Sequence, residues 1–222
     1  MNEIAQTLSP KEVIAYYNQQ FVVPLLRHHG FEFKEKVLEY HRRTKDFKQV
    51  IWHRCDRYNE TGIYIGFEMG YSILCPNFKT WYKKEYGKEP IGGDSIIGYK
   101  RLPFQDKWND KYNKYIGVFG YDLVGKDISD QFAVIMENLQ NVILPHLNYF
   151  KDFEAVIDNP SLTIVSGEFD LAAHLRQIEH CLFLGDGQKA RKLAASLAKD
   201  TTMPASYYGH RDAELIRIFK SQ

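Results

Sequence analysis

The pattern of apolar and polar positions divides the chain into a leading helix, a strand-rich stretch and a helical second half. Ser9-Pro10-Lys11-Glu12 supplies an N-cap serine, a proline at the first helical position and a glutamate placed for a capping box, so a helix is predicted from Pro10. Val13, Tyr17, Phe21 and Leu25 follow at near-helical spacing as far as Gly30, a residue suited to the positive φ of a helix end, and Pro24 is expected to kink the helix. From Phe31 the period changes to two. Val37 to Thr44, Phe47 to Cys55 and Gly62 to Leu74 read as three strands of an antiparallel meander joined by short polar connections. In the third, Ile63, Ile65, Phe67 and Met69 alternate with Gly62, Tyr64, Gly66, Glu68 and Gly70, which predicts one core face and one face of nearly bare backbone. A short helix from Phe78 to Tyr86 and a fourth strand from Ser95 to Leu102 come next, and residues 103–126 read as a loop-rich linker.

Asp127 or Ser129 opens a long helix whose stripe is Phe132, Ile135, Met136, Leu139, Val142, Ile143, Phe150, Phe153, Val156 and Ile157, with Pro145 expected to kink or divide it. Ser166 caps a further helix, Gly185-Asp186-Gly187 turns the chain, and Ala190, Leu193, Ala194 and Leu197 give the following helix a small-residue face. Residues 168–199 therefore form an αα-hairpin, with a last helix over about Arg211 to Lys220. The expected fold class is α+β: an N-terminal helix packed on an antiparallel sheet of about four strands, followed by a long helix and a C-terminal helical hairpin. The expected division is an α+β sheet domain over 1–126 and a helical region over 127–222 packed on it.

Composition narrows the partners more than the fold. With 29 Lys+Arg against 28 Asp+Glu the net charge is +1, so the polyanion-seeking excess of a nucleic-acid or anionic-membrane binder is missing. No apolar run approaches the roughly 18 residues of a membrane span. Cys55, Cys75 and Cys181 are odd in number and widely spaced, which fits a reducing compartment, and a cytoplasmic location is expected. The first 125 residues carry a net +4 and the remainder −3, an asymmetry compatible with a homodimer. Tyrosine-rich aromatics, 14% of the chain with tryptophan and phenylalanine, favour a protein-binding surface over a nucleic-acid platform.

No phosphate loop, dinucleotide fingerprint, HExxH, GxSxG or zinc grid is present, so no catalytic residue, metal or cofactor is expected. If Leu38, Tyr40, Val50 and Trp52 face the core, then Glu39, His41, Arg43, Gln49 and His53 lie opposite, together with Tyr64 and Glu68 on the glycine-lined strand. Carboxylates beside histidines suit acid/base chemistry or a metal, and equally form an ordinary solvated face. Tyr64, Glu68, His53, His41 and Glu39 are accordingly the candidate binding residues. Asp170, His174 and Cys181 share one helix face and are read as dipole, surface and packing residues, and His28-His29 as favourable helix-end charge.

The run from Phe21 to Lys34, with Gly30-Phe31 after the helix, then Val37 to Arg43 and Phe47 to Cys55, resembles an uncharacterised bacterial domain-of-unknown-function family, in which a helix ending in Gly-Phe feeds a curved antiparallel sheet. The likeness covers residues 1–125, and this chain carries His53-Arg54-Cys55 where a small polar signature is expected. The resemblance implies an immunity-like protein that blocks a toxin by binding it, and transfers no catalytic residue. Two functions are therefore carried forward: a non-catalytic protein-binding module, with a toxin as one form of partner, and a small hydrolase or metal-dependent enzyme with its site on the sheet face.

Overall fold

Helix α2 (Pro10–His28) begins where the sequence places it, because Ser9 and Glu12 satisfy each other's first-turn donors in a complete capping box. It ends at His29, and Gly30 reverses the chain at φ +80. A short α1 (Glu3–Thr7) precedes it. The structure, a computed structural model, describes residues 3–90, 95–102, 121–124, 127–157 and 170–199. The fold is α+β, and no described helix is long and apolar enough to cross a membrane.

The strands are β1 (Glu32–Lys34), β2 (Glu39–Arg43), β3 (Lys48–Cys55), β4 (Gly66–Leu74), β5 (Ser95–Leu102) and β6 (Tyr121–Asp122), with a 3₁₀ turn at Glu35–Val37. Their order is β1-β2-β3-β4-β5, and β6 pairs with the start of β4 through Gly66↔Asp122 and Phe67↔Tyr121. The β1–β2, β2–β3 and β4–β6 pairs are antiparallel. β5 has the predicted bounds, whereas β1 and β6 are too short to announce themselves. Helix α3 (Pro76–Tyr86) starts on its proline and stops at Gly87, φ +66.

The chain divides into two compact units. The first is built from Met1–Arg43, Lys48–Ser72 and Tyr99–Tyr149. Its second layer includes α4 (Ile128–Asn138), a π turn (Leu139–Ile143) and α5 (Leu144–Tyr149). Asp127 caps α4 by accepting from the Asp130 N–H. The π turn lies just ahead of Pro145, whose missing N–H interrupts the α ladder; the expected division of the long helix takes this form. Aromatic rings join the layers: Phe67 of β4 packs on Tyr121 and Phe132, and Phe132 stacks on Phe21 at 4.8 Å.

Three amide side chains buried in this unit, Asn18, Gln49 and Gln131, are paired. Asn18 donates to the Ile14 carbonyl and accepts from the Tyr40 hydroxyl at 2.9 Å, fixing α2 to β2. Gln49 donates to the Leu147 carbonyl and accepts from Arg42, whose remaining nitrogens reach His29 O and Asn148 Oδ1 while its guanidinium covers Phe31. Gln131 of α4 exchanges two hydrogen bonds with the Asp122 backbone and so serves β6 as a strand neighbour would.

The second unit comprises Thr44–Phe47, Ile73–Gly98 and Phe150–Gln222. It contains α6 (Phe153–Ile157), α7 (Asp170–Phe183) and α8 (Gly187–Lys199). The hairpin α7/α8 turns at Gly185, φ +78, and Asp186 caps α8 by accepting from Lys189 N–H. Ala190, Ala194 and Leu197 bury against Ile157, Ile178 and Cys181, as the small-residue face predicts. Ser166, His174's side chain, most of residues 103–126 and the expected last helix lie outside the described residues.

Three sequence expectations need correction. The third strand starts at Gly66, not Gly62, and Ile63 is 65% exposed on the loop before it. The buried stripe of α2 runs through Ile14, Asn18, Val22 and Leu26, so Phe21 lies at its margin, 36% exposed. Finally, Tyr40 pairs with Ile51 and Glu39 with Trp52, because the hairpin closes on Arg43↔Lys48. That odd register puts Gln49, Ile51 and His53 on Tyr40's face, and Val50 and Trp52 on the face of Glu39 and His41, the reverse of the expected partition.

Phe67 is fully buried among Tyr121, Phe132 and His53. Phe67→Ala is expected to cost about 3–5 kcal/mol in a denaturant titration, whereas Ile63→Ser is expected to stay within about 0.5 kcal/mol of the parent.

Candidate functional site

The five residues singled out in the sequence fall into three places. Glu39 and His41, two apart on β2, share a face, and their side chains meet with Oε2 and Nε2 2.6 Å apart, both part-exposed. Glu32 stands directly opposite His41, and Lys34 opposite Glu39. Lys34 also pairs with Glu32, so the β1–β2 edge carries a small lattice of alternating charge. The ammonium of Lys34, with a smaller contribution from His41, holds the Glu32 carboxyl below its usual range. A carboxylate in contact with an imidazole can orient it and exchange a proton with it. Glu68 is half-buried and, alternating with Phe67, lies on this outer face of the sheet.

His53 does not join them. It sits on the inner face between the rings of Tyr40 and Phe67, at 5.8 and 5.6 Å, with its Nδ1 2.8 Å from the Leu38 carbonyl. A carbonyl only accepts, so Nδ1 carries the proton. Burial lowers the His53 pKa to about 4, against the opposing pull of the Leu38 bond, and the ring is neutral near pH 7. The same Leu38 carbonyl also accepts from the His53 backbone N–H at 3.1 Å.

Tyr64 occupies the loop that leads into β4 and bridges to Glu60. Its ring covers Gly66, where a Cβ would collide with the phenol, and its hydroxyl is 3.3 Å from Asp56 Oδ2. Asn59 completes the clasp, donating to Gly66 O and accepting from Gly66 N–H. The expected glycine trough is thus filled at this end by the chain's own tyrosine. Desolvation and the Asp56 carboxylate push the Tyr64 phenol up to about 12.

Two features gave little warning in the sequence. The first is a surface groove of about 580 Å³ in the first unit, between the first turns of α2 and the β1 corner. Ala15 and Phe33 give it an apolar lining, and Lys11, Glu12, Lys34, Glu35 and Lys36 supply the charged part. Glu12 is engaged by Ser9 and Glu35 by Gln19, while the Lys11 ammonium donates to the Lys36 carbonyl. Phe33-Lys34-Glu35-Lys36 alternates too briefly to stand out as a strand at the sheet margin.

The second is a run of polar residues buried on α7 in the second unit: Arg176, Gln177, Glu179 and His180. Arg176 lies over Phe78 and Tyr82 and is 3.8 Å from Glu179, and Gln177 donates to the Ile157 carbonyl. His180 is wedged edge-on against Phe78 and Phe153, and neither ring nitrogen has a hydrogen-bond partner among the described residues. Burial, reinforced by the Arg176 charge, lowers its pKa and keeps it neutral. Charged residues within an amphipathic helix ordinarily signal its wet face, so the sequence pattern does not mark this run as buried.

Among the described residues no group of three or more His, Cys, Asp or Glu is placed to hold a metal ion. No protein-family model, curated protein or solved structure matches the chain.

Gly66→Ala should displace the Tyr64 ring and release its hydroxyl from Asp56. Followed by ultraviolet absorbance, its tyrosinate titration is expected to move from about 12 toward the ordinary value of about 10; an unmoved titration would mean that the ring does not cover the glycine.

Proposed function

We propose that the protein is a non-catalytic binding module that seats an extended segment of a protein partner along β1 and the groove beside it. The observation that carries this reading is the groove's position. β1 ends the strand order, so one side of its backbone is unpaired among the described strands, and an apolar floor lies alongside. Backbone pairing with β1 supplies register, Phe33 and Ala15 supply burial, and the rim supplies selectivity. The rim carries three lysines, Lys11, Lys34 and Lys36, against two glutamates, Glu12 and Glu35, and Lys36 is exposed at the corner, so the charge offered to a visitor favours a segment bearing carboxylates.

An immunity-like inhibitor is the specific form this takes, with the acidic strand belonging to a bacterial toxin. That assignment rests on the resemblance of the helix, Gly-Phe turn and meander, and a reducing, cytoplasmic setting follows from it together with the odd number and wide spacing of the three cysteines. One observation favours a second reading. The Glu39–His41 contact is the arrangement from which a small hydrolase would draw a general base.

Lys34→Glu together with Lys36→Glu reverses the rim without touching the core. In native mass spectrometry of the protein from its own host, followed by titration of the co-purifying chain, the double variant is expected to bind about tenfold more weakly. Unchanged affinity would remove the groove from the interface. Loss of a turnover in Glu39→Gln with partner affinity intact would favour the hydrolase.

A further inference from the structure

We infer that His53 is an acid-sensitive clamp on the groove, holding the β1–β2 corner closed through the Leu38 carbonyl and releasing it when the ring takes up a second proton. This is regulation of the site proposed above and rests on that reading for its biological meaning, while the clamp itself is a property of the chain alone.

The geometry starts at Leu38. It is the non-glycine residue in the described chain with positive φ, +55, and it is buried. A leucine resists this left-handed conformation, so surrounding contacts must hold it there. Two of them come from His53, whose backbone N–H and ring Nδ1–H both converge on the Leu38 carbonyl at 3.1 and 2.8 Å. Leu38 in turn caps the 3₁₀ turn Glu35–Val37 through its own N–H to Glu35 O. Phe33, Lys34, Glu35 and Lys36, which precede Leu38 with Val37 between, are one wall of the groove. The opposite wall, Lys11, Glu12 and Ala15, belongs to α2, which Asn18 fixes to Tyr40 of β2, and surface bonds from Lys11 to the Lys36 carbonyl and from Gln19 to Glu35 cross from α2 to the corner.

The other ring nitrogen makes the clamp responsive. Nε2 of His53 is buried and has no hydrogen-bond partner among the described residues. The groups facing the ring are Tyr40 from β2 and Phe67 from β4, with Tyr121 of β6 and Phe132 of α4 behind Phe67. Of these, Tyr40 and Tyr121 are titratable; burial drives the Tyr40 phenol well above its usual range, so it stays neutral in acid. Neighbouring Arg54 on β3 is exposed and alternates to the outer face. A proton on Nε2 therefore places a positive charge among neutral rings, with no carboxylate facing it among the described residues. Turning the ring out to water relieves that charge, takes the Nδ1 donor from Leu38 and leaves the left-handed corner held by one bond fewer.

The direction with pH follows from the two states. The clamped ring binds a proton only near pH 4, whereas a ring released to water does so near 6.5. Protonation thus favours the released corner as pH falls from the second value toward the first, and the clamp is fully closed above it. Opening coupled to one proton grows about tenfold per pH unit across that window.

The test is amide hydrogen exchange on the full chain without any partner, resolved by residue and corrected for intrinsic exchange. The amides of Leu38 and His53 are expected to open about tenfold more for each unit of acidification, while those of Met69 and Tyr71 in β4 stay protected. His53→Phe should abolish the slope; should that variant fail to fold, His53→Gln keeps a donor for Leu38 without a titrating ring and should abolish it equally. Histidine ¹⁵N spectra at neutral pH are expected to show the proton on Nδ1. A slope that survives either variant, opening shared equally by β4, or a proton found on Nε2 would overturn the clamp. Because no partner is present, such a failure is separate from a failure of the groove to bind, which the charge-reversal variant reads.

Discussion

The pairing of β2 with β3 is the constraint on which the first unit depends. Side chains alternate across a strand, so the choice of Ile51 rather than Val50 as the partner of Tyr40 decides the destination of every residue on both strands. The inner face then receives Tyr40, Gln49, Ile51 and His53, and each polar member finds a partner there: Asn18 for Tyr40, Leu147 O for Gln49, Leu38 O for His53. Those bonds reach α2, α5 and the β1 corner, so one register fixes two helices and the groove wall. The interactions are unequal in kind. Ring packing around Phe67 is the larger source of stability because burial scales with area. The buried hydrogen bonds add modestly when made and cost more when broken, which gives the arrangement its specificity.

Much of the architecture was legible because it is written locally. Ser9 and Glu12, Gly30, Gly87, Asp127 and Gly185-Asp186 mark element ends through capping and φ alone, and the structure uses each of them as such. The small-residue face of α8 likewise needs no distant information. The face assignment of β2 and β3 was a different problem. Leu38, Tyr40, Val50 and Trp52 are all buried, and so are Gln49, Ile51 and His53, so hydrophobicity does not distinguish two registers one residue apart. Ile63 misled for the opposite reason: it continues the alternation of β4, but the Asp56–Asn59–Tyr64 clasp ends the strand at Gly66.

The candidate site was legible in proportion. Glu39 and His41 are neighbours through strand geometry alone, and they meet. The register expected from hydrophobicity groups His53 with them, whereas the observed register makes it a buried neutral imidazole bonded to the backbone. Tyr64 spans the glycine it was expected to leave open. The groove at β1 depends on two segments 18 or more residues apart in sequence, Lys11–Ala15 and Phe33–Lys36, that only the folded chain brings together. These placements are the ground of the proposed binding role at the sheet edge and of the proposed dependence of its wall on one buried imidazole.

The register is the claim from which the rest follows, and interstrand nuclear Overhauser contacts measure it most directly. Contacts are expected from the His53 ring to the rings of Tyr40 and Phe67, and from Trp52 to the side chain of Glu39. Contacts from His53 to His41 or Glu39 would place it on the outer face and contradict the inner core, the clamp and the groove wall together.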